Sequence, residues 1–294
     1  MTEPIKGSEK RPANTKGISL MLAGTFILSA NLALTRTVSE DLPPFEVVFL
    51  RGLFSLLALS PMLMRLGPVI LFRTGSLGLH ALRAALAACS SAAWYYAIVR
   101  VPLADAMAIN FIAAIFVSIG AVLFLGERSV VRRWLAVALG IIGMLIIVRP
   151  GFSDASIGVL VVVGSALLWA GSTLLLKFLL RGDAAITLLV YLYGFGALFS
   201  LPLALLDWQT PSATHLIMLA VMGFGSAAGN FCVAQAFKVA DATAIIPIDF
   251  MRLVWAALVG YFVFSEVPSF WVFIGGGVIF ASATFLAYSE RRSD

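Results

Sequence analysis

Asp249 and Arg252 stand three residues apart in an apolar stretch, just after Pro247. On a helix that spacing puts a carboxylate and a guanidinium on one face, close enough to pair. Proline removes a backbone donor and loosens the helix around it. A charge inside hydrocarbon costs about 2.5–3.5 kcal/mol on insertion scales, so its presence asks for a reason. Two reasons fit. The pair can belong to a solute site at the bilayer midplane, where interrupted helices commonly bind cargo, or it can be a locked ion pair holding its helix to its neighbours.

Other chemistry-bearing residues share this apolar setting. Asn31, Asn110, Asn230 and Gln235 are amides able to hydrogen-bond across helices. Trp169 and Tyr193 sit deep enough in their stretches to stack on a planar solute, or equally to face lipid. Asn110 corresponds, by an internal repeat set out below, to the Pro247–Asp249 stretch. The candidate cavity is therefore Asn31, Asn110, Trp169, Tyr193, Asn230, Asp249 and Arg252. Arg51, Arg83 and Pro247 are assigned to gating or to holding the fold. Arg83, one turn after His80, is expected to snorkel to the inner surface, as arginine can from that depth. Arg51 has Glu46 five residues away, a poor spacing for pairing along one face. Trp94, Tyr95 and Tyr96 fall near a helix end, where an interfacial aromatic belt forms.

Other chemistries lack their residues. His80 and His215 are the two histidines, far apart in the chain, and Cys89 and Cys232 both lie in apolar stretches. There is no His-Glu-x-x-His motif and no Cys/His cluster, so neither a metal site nor an intramembrane enzyme is expected. Gly223, Gly225 and Gly229 resemble a nucleotide loop only superficially, because no strand precedes them. No cofactor and no ATP-binding motif are expected. Transport would then be facilitated or ion-coupled, with Asp249 the titrating group if protons are involved.

The elements that must position these residues follow from composition. Apolar residues make up 61% of the chain and charged residues 12%, with a mean hydropathy of +1.01. Soluble domains hold about 45–50% apolar and about 25% charged residues, so a lipid-embedded chain is expected and its net charge of +5 is no sign of nucleic-acid binding. Crossing the hydrocarbon as a helix takes about 20 residues. Ten apolar stretches qualify: 17–35, 45–64, 77–97, 102–124, 132–149, 157–178, 185–206, 213–237, 242–264 and 268–288. The first is too long for a signal-peptide core and is expected to be a retained span.

The two halves repeat. Arg100, Ala104, Asp105, Ala106, Phe111, Gly126 and Glu127 recur as Lys238, Ala240, Asp241, Ala242, Phe250, Ser265 and Glu266. Glu127 and Glu266 are expected to serve structurally at helix ends. Five spans per half, an odd number, invert the second half relative to the first. Fourteen lysines and arginines fall on the side of the N-terminus and three, Arg36, Arg100 and Arg149, on the other, which places both termini in the cytoplasm. The expected domains are a cytoplasmic tail (1–16), a first repeat (17–149), a second repeat (157–288) and a short cytoplasmic tail (289–294).

The run Phe111 to Glu127, followed by Arg133-Trp134, Gly140, Gly143 and Arg149-Pro150, resembles the EamA domain of the drug/metabolite transporter superfamily. Arg51, opening the second helix after Pro44, matches the same pattern, and the second half repeats it with Ser265-Glu266 in place of Gly-Glu. The resemblance implies a ten-helix, all-α integral membrane protein built from two inverted five-helix repeats. It implies an inner-membrane secondary transporter of a small metabolite, monomeric or homodimeric, working by alternating access. The membrane arginines favour a zwitterionic cargo, so the leading expectation is export of an amino-acid-like metabolite or an opine-type metallophore. The alternative is uptake of a vitamin or nucleoside derivative such as riboflavin or S-adenosylmethionine. A small solute, possibly a proton, and lipid are the expected partners, with no nucleic acid.

Overall fold

A computed structural model describes the backbone of residues 14–66, 74–125, 131–148, 157–179, 182–239, 248–249 and 251–291. Glu127, Asp241 and Pro247 lie outside the described residues. The helices are α1 (Asn14–Asp41), α2 (Pro44–Leu66), α3 (Leu77–Ile98), α4 (Leu103–Asn110), α5 (Ile112–Leu125), α6 (Val131–Val148), α7 (Ile157–Leu179), α8 (Ala185–Ala204), α9 (Ala213–Val239), α10 (Met251–Phe264) and α11 (Phe270–Arg291). A 3-10 turn, Leu205–Asp207, closes α8. Among the described residues there is no strand. That is what hydrocarbon demands, since a helix satisfies every backbone group within itself.

Among the described residues, five helices are long and apolar enough to span on length and composition alone, beginning at Lys16, Pro44, Ile157, Ile186 and Ala213. α3 is as long, with 22 residues, but less apolar, carrying His80 and Arg83. Two expectations are corrected. The first helix does not stop near Thr35 but runs on to Asp41, because nothing breaks it before Pro43. The stretch 102–124 is one span but not a perfectly regular helix: α4 ends at Asn110 and α5 begins at Ile112, with Phe111 between them in right-handed helical backbone (φ -61°, ψ -14°).

Helix neighbours reveal the repeat. The ten spans are α1, α2, α3, α4 with α5, and α6 in the first half, then α7 to α11 in the second. α1 packs on α9 and α10, and its counterpart α7 packs on α3 and α4–α5. α2 meets α8, α6 meets α11, and α4 meets α10. α2 also touches α9, as α8 touches α3. Exchanging the halves leaves this pattern unchanged, which is the signature of a pseudo-twofold axis relating inverted repeats.

The equivalent crossings are closed by different chemistry. At α1–α9, a Cβ on Gly24 would meet the Gly229 carbonyl oxygen at 3.0 Å and Val233 Cγ2 at 2.9 Å. At α3–α7, Ser90 Oγ donates to the Ser165 carbonyl at 2.8 Å and Ser165 Oγ donates back to the Ser90 carbonyl at 2.9 Å. Small residues let backbones approach where lipid offers no hydrophobic drive. On the outside, apolar stripes such as Leu53 and Leu57 of α2, Leu160 and Leu167 of α7, and Phe224 and Phe231 of α9 are exposed. Stripes on so many helices together exceed what water tolerates and instead suit acyl chains.

Candidate solute-binding cavity

Four side chains are accessible although they stand on inward faces. On α7, Trp169 shares a face with Val162 and Ala166, both 0% exposed, and lies opposite Leu160 and Leu167, yet it is 45% exposed. On α9, Asn230 is exposed although Met222 and Ser226 on its face are buried. On α10, Arg252 shares the face of Ala256 (0% exposed) and buried Gly260, and it pairs with Asp249 just before the helix; the Asp249 and Arg252 side chains are 33% and 29% exposed. A helical face turned from lipid yet accessible must open into space between helices. These four residues are therefore the candidates for lining space between helices.

Asp249 and Arg252 form the ion pair that their spacing implied, with Nε and Oδ1 2.7 Å apart. Asn110, half-buried, ends α4 at the break before Phe111. By the internal repeat, Asn110 matches the Asp249 stretch of the second half.

Asn31 and Tyr193 have other surroundings. Asn31 is 9% exposed, and its Nδ2 donates to the Met222 carbonyl at 3.3 Å and to Ser226 Oγ at 3.5 Å. It ties α1 to α9, where a Cβ on Gly225 would collide with it at 2.7 Å. Tyr193 is 6% exposed among Leu59, Ile186 and Ala227. Arg83 corrects an expectation: it does not snorkel to the surface. It is 5% exposed, and its Nη1 donates to the Leu188 carbonyl at 2.8 Å, so an acceptor on α8 replaces the surface water it would otherwise seek. Arg51 reaches α9, donating from Nη1 to Ser226 Oγ at 3.2 Å, with its guanidinium 5.5 Å from the Tyr95 ring centre. Tyr95 is 4% exposed, a core residue rather than part of an interfacial belt. Ser226 was not singled out from sequence. A serine in an apolar helix carries no signal until its neighbours are known.

The two membrane faces are latched differently. At one, Glu266 accepts from Arg36 and, through Oε2, from the Leu103 backbone N–H at 2.9 Å, while Arg36 stacks on Phe264 4.6 Å away. One carboxylate thus joins α1, the start of α4 and the α10–α11 turn. Ser265, at φ 55°, shapes that turn; the first repeat has Gly126 there, the residue best suited to a left-handed conformation. On the same face Glu46 Oε2 accepts from the Gln209 backbone N–H at 3.0 Å. At the opposite face His80 Nε2 lies 2.8 Å from Asp183 Oδ2, which also accepts from Thr74 Oγ1 at 2.9 Å.

Two inverted repeats of long apolar helices define a multi-pass membrane protein. The chain belongs to the EamA-like transporter family, whose model matches residues 15–149 and again 156–288. It is a transporter of the drug/metabolite type and not an enzyme. It is 31% identical to an S-adenosylmethionine uptake transporter of Rickettsia felis, over 94% of each chain. It is 32% identical to a riboflavin transporter of Vibrio cholerae over 93% of each, and 29% identical to the pseudopaline exporter CntI of Pseudomonas aeruginosa over 94% of this chain and 97% of that one. A solved crystal structure at 16% identity shares the fold, with a TM-score of 0.65 over 95% of this chain and 99% of that one.

Proposed function

We propose that the chain is an inner-membrane secondary transporter that moves an amino-acid-type zwitterion carrying a planar group, by alternating access of its two repeats. The observation that carries this reading is the candidate lining: a carboxylate and a guanidinium, Asp249 and Arg252, together with the accessible indole of Trp169. Asp249, held in place by Arg252, suits the cationic end of a zwitterion, and an indole face suits a flat ring. S-adenosylmethionine has both features, and similarity to uptake transporters for it supports import of such a nucleoside derivative. Export of an amino-acid-like or opine-type solute, the expectation from sequence, is the second reading, favoured by similarity to the pseudopaline exporter.

Purified protein in sealed liposomes should take up labelled S-adenosylmethionine saturably, without ATP, and exchange it against unlabelled solute inside. Equal uptake by protein-free liposomes, or strict dependence on nucleotide, would refute the carrier reading. Accumulation from the cytoplasmic side only, in oriented vesicles, would favour export.

The charge asymmetry supports cytoplasmic termini. A reporter fused at Asp294 should be active in its cytoplasmic form, and one inserted after Arg36 in its external form. An external signal at Asp294 would contradict an even number of spans.

A further inference from the structure

We propose that Arg51 is the docking point for the solute's carboxylate, with Ser226 and Tyr95 completing the subsite. The proposal rests on the reading of the chain as a carrier of amino-acid-type zwitterions.

Arg51 stands on the α2 face that bears buried Val48, Ser55 and Leu59, opposite the exposed Leu53 and Leu57. It therefore points into the bundle. Arg36 and Arg252 each have a carboxylate, Glu266 and Asp249. Arg51 has none within 4.0 Å among the described residues. Glu46, the acid closest to it in sequence, is committed to the Gln209 backbone. Of the five N–H donors of the guanidinium, one meets Ser226 Oγ, and Nε is buried with no partner. Arg83 also lacks a carboxylate, but it is 5% exposed and bonded to the Leu188 carbonyl. Arg51 is partly exposed and so can be reached.

An arginine cannot shed its proton to escape this setting. An uncompensated charge away from water is costly and calls for an anion. The planar fork of donors matches a carboxylate in bidentate fashion. Access is also on hand, because Ser226 lies one turn from Asn230 on α9, and Asn230 is exposed. A carboxylate on Arg51 would leave the rest of the solute in the space bordered by Asn230, Trp169 and Asp249.

The test compares S-adenosylmethionine with its decarboxylated analogue, using the wild type, Arg51→Gln, Arg51→Lys and Ser226→Ala in detergent and in liposomes. The wild type should prefer the carboxylated probe. Arg51→Gln should weaken binding of that probe by roughly 10–100-fold, leave the decarboxylated analogue unchanged, and melt no lower than wild type without ligand. Arg51→Lys should restore part of the preference, and Ser226→Ala should lower it modestly. Unchanged discrimination in Arg51→Gln, or a ligand-free melting temperature several degrees below wild type, would overturn the proposal in favour of a structural arginine. If the wild type binds neither probe, the substrate reading falls, and the ligand-free melting comparison still decides whether Arg51 is an unmet charge.

Discussion

Replacing Arg252 by alanine is expected to abolish solute transport while leaving a folded, membrane-inserted protein. Asp249 and Arg252 pair at 2.7 Å, yet about a third of each side chain is accessible. Water or solute can therefore take over the surviving partner, and loss of one charge should hurt folding little. The double change Asp249→Asn with Arg252→Gln sharpens the result. If the pair merely holds α10 in place, each single change leaves an unmet charge and lowers stability, and the double change recovers both stability and flux. If the pair recognises the solute, the double variant is well expressed and inactive. Flux in liposomes and melting temperature, measured on all three variants, separate the two outcomes. A double variant that transports like wild type would remove Asp249 and Arg252 from the site.

A second large effect is expected at Glu266, this time on stability. The Arg36 and Glu266 side chains are only 15% and 17% exposed, and the same carboxylate receives the first N–H of α4. Glu266→Ala leaves a largely buried guanidinium and an uncapped helix start, a loss of about 3 kcal/mol. Arg36→Ala should cost less, since the Leu103 N–H keeps its acceptor. The double variant should be more stable than the sum of the single losses predicts, with the coupling energy given by a double-mutant cycle on thermal unfolding. Strict additivity would mean that the two side chains do not interact in the membrane. Glu40, 3.8 Å from Arg36 Nε and 49% exposed, is too well solvated to replace Glu266, because exposed ion pairs contribute at most about 1 kcal/mol.

The amino-acid sequence by itself determined the class of this protein: an all-helical, doubled membrane fold with a handful of polar residues at depth. That much is local. In hydrocarbon every backbone group must be satisfied within its own segment, so a run of apolar residues has no alternative to a helix. The pairing of Asp249 with Arg252 was legible for the same reason, since three residues on a helix fix their relation. The break at Phe111 was not, because the sequence around it, Ala108-Ile-Asn-Phe-Ile112, has neither proline nor glycine. Tertiary structure alone decided which polar residues stay accessible. Trp169 is accessible while Tyr193 is enclosed by Leu59, Ile186 and Ala227. Asn230 is accessible while Asn31 is spent on α9. Arg83 finds its acceptor 105 residues away in Leu188. The two asparagines are the same residue type, and the difference between them is the angle at which the side chain leaves its helix. Between helices that are apolar on every side, that angle is set by close packing against neighbours, at crossings such as Gly24 on Gly229 and Ser90 on Ser165, and not by any hydrophobic face written along the chain.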